Sequence, residues 1–292
     1  MSIDVLQERI RKTKNPSVLE LRMSIRDIPP HVAEAAPSTA AAMGVFCREL
    51  LSALKGIVPA VRFSLGCFAL LGPDGLGQLQ QTMKFAQELQ YYIFLDAPEI
   101  LSPKAAEISA ESLFGENAIF ACDAVVISSY LGSDGIKPFL PFCKKRKKDV
   151  FVVCRTGNKS APELQDLLTG SRLVHGAAAD LVNRYTAGII GRCGYAGIGV
   201  LAAAGAADSL RSLRGKYPQL FLLLDGYDYP NANAKNCSFA FDKVGHGAAV
   251  CAGSGICAAW RQTDGDGTDY IEQAVASAER MRKNLLRYIS VL

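Results

Sequence analysis

The residues of this chain best placed to do chemistry are charged side chains at the ends of apolar runs. Asp96 closes the run Tyr91-Tyr92-Ile93-Phe94-Leu95, and Arg62 lies in the run 60–66. A carboxylate at the end of a buried strand needs a partner, and Arg62 is the expected one. Such a pair serves either as part of a fixed charge network at a reaction centre or as a structural ion pair. Arg22, Arg155 and Asn158 fall at or just past the ends of two further runs. They are expected to contact a ligand or to brace a loop. Gly253-Ser254-Gly255 follows another run, and its backbone N–H groups suit an anion; the plainer reading is a tight strand-to-helix turn. Glu99, Asp225 and Asp228 add negative charge at comparable positions.

These side chains act together only if the runs that carry them share one end of one fold. The candidate strands are 17–22, 60–66, 91–96, 124–128, 150–155, 195–201, 219–225 and 247–252. Amphipathic stretches lie between them at 74–90, 133–148, 160–186 and 206–217, the third expected to be two short helices broken at Gly170-Ser171. Continuous apolar runs separated by helices are the pattern of buried parallel strands. Eight such units predict an α/β TIM (β/α)8 barrel formed as one domain, 1–292, with 269–289 as a closing helix. A doubly wound open sheet is the other reading, disfavoured because no Gly-rich fingerprint follows the first strand.

Composition bounds the function. Hydrophobic residues make up 49 % of the 292, and the net charge of +4 does not call for nucleic acid. The basic run Lys144-Lys145-Arg146-Lys147-Lys148 is expected to be a solvated helix end. Nine cysteines, without a C-x-x-C pair, suit reduced thiols and a cytoplasmic location. No Cys/His cluster has zinc-ligand spacing, and neither a metal nor a cofactor is expected. No apolar run is long and pure enough to span a bilayer, so no membrane partner is expected. The loop Asp264-Gly265-Asp266-Gly267-Thr268-Asp269 lacks the Glu of a calcium loop and reads as a surface turn. Of the histidines, His31 is expected in a loop, His175 in a helix, and His246 before the eighth strand.

Several segments, in order, resemble the orotidine 5'-phosphate decarboxylases of pyrimidine biosynthesis, in particular their longer bacterial branch. Asn15-Pro16 opens the first strand and Val58-Pro59-Ala60-Val61 leads into the second. Leu71-Gly72-Pro73-Asp74-Gly75-Leu76 begins a helix, and Tyr130-Leu131-Gly132-Ser133-Asp134 is very similar to the family's Y-L-G-S-D. Val153-Cys154-Arg155-Thr156-Gly157-Asn158 resembles V-x-R-T-S-N, and Phe221 through Gly226-Tyr227 resembles the seventh strand with its P-G-Y tip. The resemblance implies a Lys-Asp-Lys-Asp network that destabilises the substrate carboxylate and protonates the carbanion left by CO₂. It also implies a homodimer whose sites share an Asp across the interface.

At the family's functional positions this chain differs. The first Lys aligns with Arg62 and the first Asp with Asp96. The family's D-A-K-R-G-D continues here as Asp96-Ala97-Pro98-Glu99-Ile100-Leu101, so Pro98 stands for the second Lys and Leu101 for the second Asp. The ribose-binding Asp aligns with Arg22, and the Asn-Pro before Y-L-G-S-D is Ser128-Ser129. The phosphate-binding G-A-Q-G is replaced by Asp228-Tyr229-Pro230-Asn231-Ala232-Asn233, and the phosphate Arg aligns with Ser254. The first expectation is a divergent barrel of this family with lost or altered decarboxylase activity. A working decarboxylase with rearranged groups, in which Lys104 supplies the proton, is the second. A non-catalytic regulatory or structural partner is the third. The expected partners are a small, nucleotide-like or uncharged polar ligand and a second copy of the chain. Arg22 is expected to pair with Glu99 and Arg62 with Asp96.

Overall fold

The structure, a computed structural model, describes residues 1–96 and 100–292. Pro98 and Glu99, singled out above, lie outside the described residues. Eight parallel strands close into a barrel: β1 (Ser17–Leu21), β2 (Ala60–Ser64), β3 (Tyr92–Asp96), β4 (Ala124–Ser128), β5 (Asp149–Arg155), β6 (Ile198–Ala203), β7 (Leu222–Asp225) and β8 (Ala248–Ala252). They neighbour one another in chain order, and β1 pairs with β8, Val18 lying opposite Cys251. The principal helices between them include Thr39–Ala53, Gly72–Glu88, Pro103–Phe114, Val174–Asn183 and Ala207–Lys216, with Tyr270–Leu286 following β8. Local chemistry sets several starts: Ser38, Ser102 and Asn233 each accept a backbone N–H in the first turn of the helix that follows.

The barrel interior is filled by aromatic rings. Residues two apart on a strand share a face, so Tyr92 and Phe94 point inward beneath Asp96. Tyr92 and Phe94 lie 4.9 Å apart, Phe94 and Phe151 5.3 Å, and Phe151 and Phe221 6.1 Å. Gly199 on β6 makes room for them. A Cβ there would lie 2.4 Å from the Phe221 carbonyl oxygen and 2.7 Å from the Phe151 ring. At the foot of this stack the Tyr92 hydroxyl donates to Asp149 Oδ2 at 2.5 Å.

The N-terminal helix Ser2–Thr13 plugs the end of the barrel from which the strands start, burying Ile3, Leu6 and Ile10. Gln7 accepts the Gly247 N–H, and Asp4 accepts that of Cys193. Asn15 accounts for the Asn-Pro motif: its amide donates to the Ile57 carbonyl at 2.6 Å and its oxygen accepts the Ser17 N–H at 3.0 Å. With that end stoppered, the mouth is the end where the strands finish.

Four local expectations change. The segment 160–186 does not form two helices. A 3₁₀ turn at Ala161–Glu163 and a hairpin of Leu168–Thr169 with Arg172–Leu173 precede the helix Val174–Asn183. Gly170 takes φ +65° at the hairpin turn, a conformation glycine adopts without strain. The stretch 133–148 is divided into Ser133–Ile136, Lys137–Phe139 and Leu140–Arg146, since Pro138 and Pro141 remove helical N–H groups. β6 starts three residues later than expected, because Ala196 is bridged back to Ile190. His31 sits in the helix Pro30–Ala35, where Pro30 suits the first helical position. The basic run closes the helix Leu140–Arg146, and all nine cysteines are unpaired. No helix among the described residues is long and apolar enough to cross a membrane.

Substitution Gly199→Ala is expected to destabilise the fold by about 1–3 kcal/mol through overpacking against the aromatic stack. Urea denaturation would measure it; unchanged stability would show that the stack is not tightly seated.

Candidate functional site

The barrel brings Arg22, Arg62, Asp96 and Asp225 together at one mouth. Arg62, at 4 % exposure, is at the centre. Its Nε donates to Asp96 Oδ1 at 2.7 Å, and its Nη1 donates to Asp225 Oδ1 at 2.7 Å. The same Nη1 lies 3.0 Å from Glu20 Oε1, a charge contact rather than an aligned hydrogen bond. One guanidinium on β2 therefore ties together carboxylates on β1, β3 and β7. Strand register explains the near pair, since Glu20 sits directly opposite Arg62 and Asp96 opposite Ser64. The tie to Asp225 crosses the mouth.

Glu20 escaped the sequence reading, although a signal was present. It is the one charged residue within the apolar strand Ser17–Leu21, two positions before Arg22, so alternation turns both towards the interior. The expected Arg22–Glu99 pair falls outside the described residues; among those described, Arg22 Nη2 lies 3.3 Å from Asp225 Oδ1 and 3.3 Å from the Glu20 carboxylate. Two guanidinium groups thus face three carboxylates. Burial, only partly offset by Arg62, raises the Glu20 carboxyl from the ordinary 4.5 to about 7. Desolvation alone would lower the Arg62 guanidinium, but the acids around it, Asp96 first, outweigh that and hold it well above its ordinary value. A guanidinium so held does not release a proton near neutral pH. Cys251 on β8 faces the same guanidinium, and burial keeps it a neutral thiol.

The remaining candidates stand around this centre. Arg155, at the end of β5, donates to both oxygens of Asp166, at 2.8 and 2.9 Å. His175 shares that carboxylate, with Nδ1 3.2 Å from Asp166 Oδ1. Asn158 accepts the Thr156 hydroxyl. These contacts brace the loop after β5. Gly226 takes φ +77°, and the Tyr229 ring packs so closely that a Cβ at Gly226 would lie 2.6 Å from it. Lys104, in the first turn of Pro103–Phe114, is exposed and pairs with Glu107 at 2.8 Å. Ser254 is exposed at the start of the short helix Ser254–Cys257. The Gly253 N–H donates to Asp228 Oδ2 at 2.6 Å. Asp266 accepts the Thr268 N–H and hydroxyl, closing a turn on itself. No group of three or more His, Cys, Asp or Glu among the described residues is arranged to hold a metal ion.

A basic group at the end of β2 against an acid at the end of β3, on a barrel with this order of motifs, is the arrangement that the sequence resemblance implied. Comparison with known proteins bears on the relationship and the fold. Orotidine 5'-phosphate decarboxylase of Rhodopirellula baltica is 29 % identical over 217 residues, covering 73 % of this chain and 72 % of that protein. The enzyme of that name from Clostridium kluyveri is 27 % identical over 293 residues, with 98 % of each covered. The chain is a homologue of the orotidine 5'-phosphate decarboxylases. A putative orotidine-monophosphate-decarboxylase from Toxoplasma gondii superposes with a TM-score of 0.79 over 98 % of both chains at 22 % identity, which speaks for the fold. No protein-family model matches the chain.

The charge balance of the mouth has a measurable consequence. The native state keeps a proton on Glu20 up to about pH 7, whereas the unfolded chain releases it near 4.5. The associated stability is complete below the unfolded value and is lost as pH rises towards 7. The slope is at most about 1.4 kcal/mol per pH unit. Glu20→Gln cannot ionise, so its stability should fall less than that of the wild type across this window. Urea denaturation at stepped pH checks this; parallel curves for the two proteins would contradict it.

Proposed function

We propose that the chain is an orotidine 5'-phosphate decarboxylase-like barrel whose decarboxylase activity is lost or altered. The observation that carries this reading is the state of Arg62. It stands where the resemblance puts a lysine, and it is bound on three sides by carboxylates, with its charge fixed. Decarboxylation of orotidine 5'-phosphate leaves a carbanion that must take up a proton, and Arg62 is a poor source of one. Lys104 supports the same reading, because it is solvated and engaged by Glu107. Binding points the same way. The substrate carries a carboxylate and a phosphate, while among the described residues the cluster around Arg62 sets three acids against two arginines and offers no surplus positive charge there. Arg22, Arg155, Asn158, Gly226, Gly253, Ser254 and Gly255 remain the proposed ligand-facing set, with Arg62 and Asp96 as the remnant of the reaction centre. The unpaired cysteines suit a cytoplasmic protein.

One observation favours a second reading, a working decarboxylase with rearranged groups. Glu20, raised to about 7, has a proton available near neutrality, beside the place where the carbanion would form. A single assay decides between the two. Purified protein given orotidine 5'-phosphate is expected to evolve CO₂ at least about a thousandfold more slowly than an ordinary family member, the loss expected when general acid catalysis fails together with binding groups. Ordinary turnover that disappears in Glu20→Gln would establish the second reading instead.

We also propose a homodimer through the mouth side, as the resemblance implies. Leu70, Leu101 and Tyr130, on the segments that follow the neighbouring strands β2, β3 and β4, are 77 %, 77 % and 84 % exposed in the single chain. Large apolar side chains exposed to this degree gain by being covered. Sedimentation is expected to show a dimer for the wild type and a weaker one for Leu101→Asp. A monomeric wild type, or an equally tight variant, would refute the interface.

A further inference from the structure

At the end of the barrel opposite the mouth, a cavity of about 600 Å³ lies between the N-terminal helix and the segments that lead into β2 and β3. Three cations border it, Arg9 and Lys12 from the helix and Lys55 from the turn before β2, against one acid, Glu8. Among the described residues, no ion pair engages any of these four. A cation in the last turn of a helix is ordinary, since it offsets the carbonyl end, and Lys12 has that use. Arg9 lies ahead of that turn. It is half-buried, and its Nη1 is sealed from solvent without a hydrogen-bond partner. Burial lowers its guanidinium below the ordinary value, and Asp123 and Glu8 offset that only in part. A cation buried with so little compensation is costly. An anion in the cavity would supply the missing countercharge.

Much of the remaining wall is apolar. Val5 comes from the same helix face, one turn before Arg9, and Val58, Leu89 and Tyr91 come from the two segments. The wall is held in shape by the chain itself. Asn15 fixes the Ile57 carbonyl at 2.6 Å, and the Tyr91 hydroxyl donates to the Leu51 carbonyl at 2.7 Å. A pre-formed cavity of this size, largely apolar with a few charged groups, is of the kind that small organic ligands occupy. A bare inorganic ion would fill little of it and would leave the apolar wall uncovered. Three cations against one acid leave two positive charges for the ligand to meet.

We propose that this cavity is a second ligand site, remote from the mouth, for a small organic anion that joins a doubly charged head to an apolar body. Calorimetry with three probes tests it: naphthyl phosphate carries both parts, inorganic phosphate the head alone, and naphthol the body alone. Naphthyl phosphate is expected to bind at one site at least about tenfold more tightly than either part, because head and body then contribute to a single binding event. Arg9→Gln and Lys55→Gln are each expected to weaken it about fivefold or more, the least effect of one unit charge at contact range. Lys144→Gln removes an exposed cation elsewhere, and Arg22→Gln removes one at the mouth; both should bind the probe as the wild type does. The absence of saturable binding would overturn the proposal, as would equal affinity for naphthyl phosphate and for either part alone. Wild-type affinity in either folded cavity variant would also overturn it, and so would a loss in Arg22→Gln, which would place the probe at the mouth. Lys55 is exposed, so its variant keeps the test decisive even if Arg9→Gln fails to fold.

Discussion

A positive charge buried at the mouth of a barrel has to be neutralised, and the arrangement of this mouth follows from how that is done for Arg62. The guanidinium is a rigid fork, so its acids must arrive in fixed directions. Asp96 comes from the neighbouring strand, Glu20 from the strand on the other side, and Asp225 from across the opening. None is dispensable by itself. Removing Arg62 would leave buried carboxylates uncompensated, a defect that typically costs about 3–5 kcal/mol. Removing an acid would leave a guanidinium short of acceptors. The cluster is a closed set in which each member holds the others in place, and Arg22 extends it towards solvent.

The arginine at the centre of such a set differs in chemistry from a lysine. Lysine presents a compact charge on a flexible stem, whose protonation responds to its surroundings. An arginine engaged on three sides has little left to offer a ligand. At the other side of the mouth the Gly253 amide is likewise engaged, by Asp228. The scaffold beneath, with its aromatic stack and its helical stopper, is unaffected. The frame is the part that this chain demonstrably shares with the orotidine 5'-phosphate decarboxylases it is similar to.

Much of this was legible in the sequence for a simple reason. Buried parallel strands must be continuously apolar, so the eight runs stood out, and a charge at the end of such a run is conspicuous. Arg62 and Asp96 were found in that way, and their pairing follows from strand order. Glu20 was missed because attention fell on strand ends and it lies within a strand. Asp228 was read as stray charge, because its partner is a backbone turn supplied by the next strand, and no local pattern announces such a contact. The segment 160–173 was misjudged because Leu164, Leu167 and Leu168 have the spacing of a helix face, yet they stand exposed around a hairpin. There glycine geometry outweighed apolar periodicity.

The closure of β1 on β8 carries a consequence for the order in which this molecule is made. As the chain leaves the ribosome, Glu20, Arg22, Arg62 and Asp96 appear first, two acids with two bases, and they can neutralise one another on the first three strands. Asp225 follows 163 residues after Arg62, and its arrival tips the balance to an excess of acid. Burial is the main cause of the raised Glu20 carboxyl, and the Asp225 charge adds to it. The last contacts of the barrel also join its most distant segments, so they bear the greatest loop-closure cost and form late. Ring closure then belongs to a late step of biosynthesis, and a nascent chain halted before β7 would carry a mouth that is still open.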